Sequence, residues 1–171
     1  PTQVFESGLE NLVSLESLAE KIDLPISLGE VEVKTLAATE DVAENLNLEP
    51  GVDVLQVSRV ILAENRPIAF LVDTLPDGIL NPEALTTEFT GSVLDILIRR
   101  DDPPLASSRC NINAVAASKT VAQALDIQRN DPILQFVSLL SSEQGKAIDY
   151  SFSYFLPGSF NFNIVRRIGK G

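Results

Sequence analysis

Hydrophobic positions recur along the chain with two alternating periods, and the switches between them mark out the elements. Ser14 is placed to cap a short helix with Leu15, Leu18, Ala19 and Ile22 on its apolar side, and Pro25 stops it. Glu30-Val31-Glu32-Val33-Lys34 alternates as a half-buried strand does. Thr39 then caps a helix that carries Glu40 and Asp41 in its first turn and turns Val42, Ala43 and Leu46 inward. Pro50-Gly51 signals a turn. Two β-rich runs follow, 52–62 and 67–75, joined by Ala63-Glu64-Asn65-Arg66 as a hairpin loop and ended by Pro76-Asp77-Gly78. Residues 92–100 predict an amphipathic helix with Val93, Leu94, Leu97 and Ile98 inward. Arg99 and Arg100 stand at its negative end, and Asp101-Asp102-Pro103-Pro104 terminates it. A further strand is expected around 107–115.

The pattern repeats. Residues 118–157 replay residues 39–76: Val42, Ala43 and Leu46 return as Val121, Ala122 and Leu125, and Leu55-Gln56 as Leu134-Gln135, all at an offset of 79. Ile68 returns as Ile148 and Pro76 as Pro157, so the slack falls in loops. Each unit reads helix, turn, long strand, hairpin loop, long strand. Two such hairpins, whose helices cannot bury their own faces alone, pair into one antiparallel sheet with helices on it. The expected class is therefore α+β with an internal pseudo-repeat.

Strand parity then locates candidate chemistry, because alternate side chains share a face. Arg59 shares its face with Leu55, Val57 and Ile61. Burying a cation among apolar neighbours demands a partner, so Arg59 either reaches water or answers an anion, from the protein or from a ligand. In the last strand Ile148, Tyr150, Phe152 and Tyr154 make an aromatic face, and Asp149, Ser151, Ser153 and Phe155 the opposite one. That second face is either solvated or a pocket lining that offers hydroxyls and one carboxylate to a polar small molecule. Ser92 is a helix cap or part of an anion site at the helix start. Glu30 and Glu32, on one strand face with no apolar pocket, read as solvated.

Composition narrows the chemistry. The 171 residues hold 13 Lys and Arg against 24 Asp and Glu, a formal charge of −11, with 44% hydrophobic residues, no His, no Met, no Trp and one Cys. That length suits one domain with a real core, and the hydrophobic fraction excludes a disordered acidic tail. Without His the commonest general base and metal ligand is missing, and one Cys builds neither a thiolate zinc site nor an internal disulfide. No metal and no cofactor are expected. There is no Ser/His/Asp set, no phosphate loop and no dinucleotide glycine pattern. The acid is concentrated: residues 1–90 carry 4 basic and 17 acidic side chains, residues 91–171 carry 9 and 7. A chain of this charge repels nucleic acid, whose binding rests on neutralising phosphates. No apolar run reaches the ~20 residues that cross a bilayer, no basic-then-apolar leader opens the sequence, and the single Cys110 points to a reducing, cytoplasmic setting. The start at Pro1-Thr2-Gln3, with no Met, leads us to expect a preceding segment.

Against this background one resemblance stands out. Val57-Ser58-Arg59-Val60-Ile61-Leu62-Ala63-Glu64-Asn65-Arg66-Pro67-Ile68-Ala69 resembles the "R-v-x-x-A-d-g-x-P-i-A" stretch of the UTRA domain, and Gly91-Ser92-Val93-Leu94-Asp95-Ile96-Leu97 is similar to its "G-S-l-y-x-x-L" helix start. Val121 to Leu125, Asp149-Tyr150-Ser151 and Phe160-Asn161-Phe162 resemble its second half, so the likeness spans residues 12–167. UTRA is the effector-binding domain of HutC-type regulators in the GntR family of bacterial transcription factors.

The resemblance implies a chorismate-lyase-like fold, an antiparallel sheet with flanking helices around a small-molecule pocket. It also implies that residues 1–171 form one effector-binding and dimerisation domain, with the operator-binding winged helix in an N-terminal domain outside this chain. The expected function is to sense a small polar or anionic metabolite and modulate that DNA binding as a homodimer, with no membrane partner and no catalysis. The alternatives are a chorismate-lyase-type enzyme on the same fold and an oligomerisation module without effector. Carried over by position, Arg59 matches the strand arginine that holds phosphate in phosphosugar-responsive members. The family's second basic residue and its next-strand acid are Ile61 and Leu71 here. Ser92 and Asp149 match positions that commonly touch effector, and Ser14 falls in the phosphate-side loop. With Ser151 and Phe155 from strand parity, these make six candidate effector-binding residues.

Overall fold

The computed structural model describes residues 4–9, 12–86 and 89–169. Strands are β1 (Phe5–Gly8), β2 (Ile26–Ala37), β3 (Asp53–Ala63), β4 (Arg66–Pro76), β5 (Leu105–Ala116), β6 (Pro132–Ser142), β7 (Ala147–Phe155) and β8 (Phe160–Asn163). Helices are α1 (Leu15–Lys21), α2 (Glu40–Leu46), α3 (Val93–Arg100) and α4 (Lys119–Leu125), with a 3₁₀ turn at Pro82–Leu85. Strands β2 to β7 form a six-stranded sheet in the order β2-β3-β4-β7-β6-β5, antiparallel throughout. A second, two-stranded sheet pairs β1 with β8 in parallel, an element the sequence pattern did not announce.

The duplication is longer than its sequence trace. Helices α2 and α4 are capped by Thr39 and Ser118, whose hydroxyls accept from the N–H groups of Val42 and Val121. Both helices close on a left-handed residue, Asn47 or Asp126, at φ +54. Even the loop bonds recur at an offset of 79: Ala38 N–H to Val52 O and Ala117 N–H to Asp131 O, at 2.7 and 2.8 Å. Strands β2 and β5 keep that offset, and α1 and α3 precede them, so residues 14–76 are replayed by 92–157. The two halves meet where β4 pairs with β7, and the edge strands β2 and β5 lie at opposite ends of the sheet.

Each face of the sheet takes two helices. Helices α2 and α4 cover the face that carries Val54, Phe70, Tyr150 and Tyr154. Tyr150 donates its hydroxyl to Asp41 Oδ2 of α2 at 3.0 Å, and its burial, with that bond and the Asp41 charge, pushes its pKa up to about 12. Helices α1 and α3 cover the opposite face, on Ile61 and Ala69 and on Leu55, Val57 and Leu75.

Four expectations are corrected. Ile22 and Ile98 do not turn inward: both are exposed, Ile98 by 51%. Helix α3 meets the sheet through Val93 and Leu97, four apart on one side, and the next residue points away. Ile148 does not join the Tyr150 face. A register shift opposite Leu140 and Ser141 makes it the extra residue of a bulge, which turns it into the α3 cluster. Nor is Glu30–Lys34 a half-buried strand: it is part of a twelve-residue edge strand with Val31 exposed and a register shift between Leu28 and Val31. Glu32 faces solvent as expected, paired with Lys34 at 2.6 Å.

Candidate functional site

Between α1, α3 and the sheet lies a cavity of about 770 Å³, within the range of small-molecule sites. All six residues singled out from the sequence line it: Ser14, Arg59, Ser92, Asp149, Ser151 and Phe155. The duplication explains two of them. Ser14 and Ser92 cap the paired helices α1 and α3, accepting from Ser17 and Asp95 N–H, so both helix starts converge on the cavity. Ser14 Oγ also donates to Asp95 Oδ2 at 2.7 Å, which ties the first residue of one half to the helix of the other.

The floor is built by strand register. Directly paired residues on neighbouring strands share a face, so Cys110, Ser138, Ser151 and Asp73 form one row across β5, β6, β7 and β4. The adjacent row holds Phe136, Ser153, Leu71 and Arg59. At one end Phe155 packs edge-on to Phe136, Phe160 and Phe162 at 4.8 to 5.0 Å between ring centres, so β8 closes the cavity with an aromatic wall.

Arg59 answers an anion of the protein. Its guanidinium pairs with Asp73 through Nη1 and Oδ2, and its Nε donates to Gly91 O at 2.7 Å. The side chains are 5% and 10% exposed. Gly91 presents that carbonyl from φ +114, a backbone conformation that a side chain would strain. Phe89 lies against the guanidinium, 5.8 Å from its ring centre. Asp73 was missed in the sequence, although its signal is that of Arg59, a lone charge between the apolar Leu71 and Leu75 of its own face.

Asp149 completes a buried triad with Asp73 and Arg59. Burial pushes the Asp149 carboxyl well above its ordinary 3.8, and the charge of Asp73 and a hydrogen bond to it push the same way. Burial also raises Asp73, but the Arg59 guanidinium, with hydrogen bonds from Asp149 and Arg59, outweighs it and holds Asp73 below the usual range. The two carboxyls are therefore driven apart, Asp149 toward its protonated form and Asp73 toward its ionised form. Among the described residues no group of three or more His, Cys, Asp or Glu is arranged to hold a metal.

The fold has known counterparts. Residues 30–161 match the UTRA domain family, and the chain belongs to that family. It is 21% identical over 158 residues to the HTH-type transcriptional repressor NagR of Bacillus subtilis, covering 92% of this chain and 65% of NagR. Among solved structures, PhnF from Mycobacterium smegmatis superposes with a TM-score of 0.85 at 19% identity, over 97% of this chain and 73% of that one. The C-terminal domain of Yurk from Bacillus subtilis does so at 0.72 and 16% identity, over 96% of this chain and all of that one. The chain is thus a UTRA domain of the kind found in GntR-family transcription regulators, with the α+β antiparallel fold expected from its sequence. No helix among the described residues is long and apolar enough to cross a membrane.

Proposed function

We propose that this chain is the sensing half of a bacterial transcription regulator: its cavity binds a small polar metabolite, and occupancy modulates operator binding by a separate winged-helix domain. The observation that carries the reading is the cavity itself, roofed by two capped helix starts and floored by buried polar side chains that a plain structural module would have no reason to enclose. Ser14, Arg59, Ser92, Asp149, Ser151 and Phe155 are its effector-binding residues, Arg59 acting through the carboxylates it orders. The domain spans residues 1–171, dimerises with a second copy and works in the cytoplasm. A sensor is favoured over a lyase because NagR is named a repressor and the chain lacks the commonest general base. Signal transfer needs only that the effector bind one of two arrangements of the dimer more tightly than the other.

A thermal-shift screen of sugars, sugar phosphates, amino acids and organic acids tests the reading. A true effector at one hundred times its Kd stabilises the fold by about 2.7 kcal/mol. Ser151→Leu, which fills the floor of the cavity, is expected to abolish that shift while leaving the unliganded melting temperature within a few degrees. A hit that survives Ser151→Leu binds elsewhere and sinks the assignment.

A further inference from the structure

The cavity holds one cation among its described lining residues, and the protein has already used it. Arg59 spends its charge on Asp73, one further donor on Gly91 O and its flat face on Phe89. Asp149 Oδ1 is buried and meets no N–H or O–H donor among the described residues, while its carboxyl faces that of Asp73. Arg59 and Asp73 cancel in charge, and Asp149 adds a carboxyl and no cation, so the three groups together offer no net positive charge. An anion entering this site would lose its hydration and find no free counter-charge, which is the arrangement that makes burial of a charge costly. The rest of the floor is neutral and hydroxylated: Ser107, Ser108, Ser138, Ser151 and Ser153 lie across three adjacent strands. Each hydroxyl both donates and accepts, as the hydroxyls of a polyol do. The aromatic wall behind Phe155 offers an apolar surface for the carbon skeleton of such a ligand.

We infer that the cavity selects an uncharged polyhydroxy ligand, of the chemical class of a free sugar, and excludes phosphate-bearing ones because Asp73 occupies the one cation among its described lining residues. This rests on the effector reading above and narrows it.

The probes are matched pairs, uncharged hexoses and pentoses against their phosphate esters, together with inorganic phosphate, all at equal ionic strength and followed by thermal shift and calorimetry. At least one uncharged sugar is expected to raise the wild-type melting temperature by roughly 5 °C near saturation, with its ester and inorganic phosphate giving none. Asp73→Asn frees the guanidinium and is expected to gain a response to inorganic phosphate, at least tenfold tighter than wild type. Adding Arg59→Gln should remove that gain. If a phosphate ester stabilises the wild type and Arg59→Gln cancels the effect, the inference fails while the effector reading stands. If Asp73→Asn folds and still ignores phosphate, Asp73 is not what excludes anions and the inference fails in the same way. A wild type indifferent to every compound, charged and uncharged, overturns the effector reading itself. The wild-type comparisons decide the matter without the variants should Asp73→Asn fail to fold.

Discussion

Three buried polar side chains decide what the site can do. Arg59 and Asp73 repay each other's desolvation only together, so removing one leaves an uncompensated charge in the interior. Arg59→Ala is expected to destabilise the fold by about 3 kcal/mol or more in chemical denaturation; a loss below about 1 kcal/mol would show the pair to be solvated. Asp149 makes a prediction of opposite sign. Its raised folded pKa means the native chain keeps a proton that the unfolded chain loses near 3.8. Stability therefore falls as pH rises from there through the folded pKa. Asp149→Asn replaces the acid proton with an amide that can also donate to Asp73. Its stability relative to wild type should climb as pH rises above 4, in parallel denaturant titrations at several pH values. A pH-independent difference would mean that Asp149 is ionised. The position of Arg59 in the sequence pattern was enough to flag it, since few cations stand among three apolar residues of one strand face. Which anion it meets was not legible, because Asp73 lies on another strand and the hairpin register alone brings them together.

At the scale of elements, capping and turn chemistry account for most of what is seen. Thr39, Ser118, Ser14 and Ser92 all cap where the pattern placed helix starts. Since α2 and α4 are structural copies whose caps share no hydrogen-bond partner, Thr39→Ala and Ser118→Ala are each expected to cost about 1 kcal/mol and to add within about 0.5 kcal/mol in the double variant, read from urea midpoints. Strongly unequal effects would mean that the two halves are not energetically equivalent. The hairpin between β3 and β4 turns on Glu64 and Asn65 alone, both at positive φ, tighter than the four-residue loop expected. Sequence erred where a helix is too short for its period to settle which side faces in, at Ile22 and Ile98. It erred also at Ile148, where a bulge reverses strand parity. Strands β1 and β8 were invisible because four residues show too few alternations, and their pairing joins the two ends of the chain.

For the whole molecule, two similar halves enclose a one-sided cavity. At positions equivalent to Arg59 and Asp73 the second half carries Ser138 and Ser153, so charge sits at one side of the floor and hydroxyls at the other. The proposed dimer is tested on the isolated chain: sedimentation should give twice the 18.5 kDa chain mass, and the melting temperature should rise with protein concentration. A strict monomer at high concentration would sink the dimer. By itself the sequence determined the class of fold, the repeat, the helix caps and the six polar and aromatic candidates that line the cavity. The fold class, the repeat and the caps are local properties, written in periodicity and capping residues, and Arg59, Ser92, Asp149, Ser151 and Phe155 stand out by strand face or helix start, whereas Ser14 became an effector candidate only through the family resemblance. Tertiary structure alone decided that Arg59 is neutralised by Asp73, that burial beside Asp73 raises the pKa of Asp149 and that β8 closes the cavity with phenylalanines. Each of these depends on strand register and on burial, which arise only when residues far apart in the chain are brought to one face of one sheet.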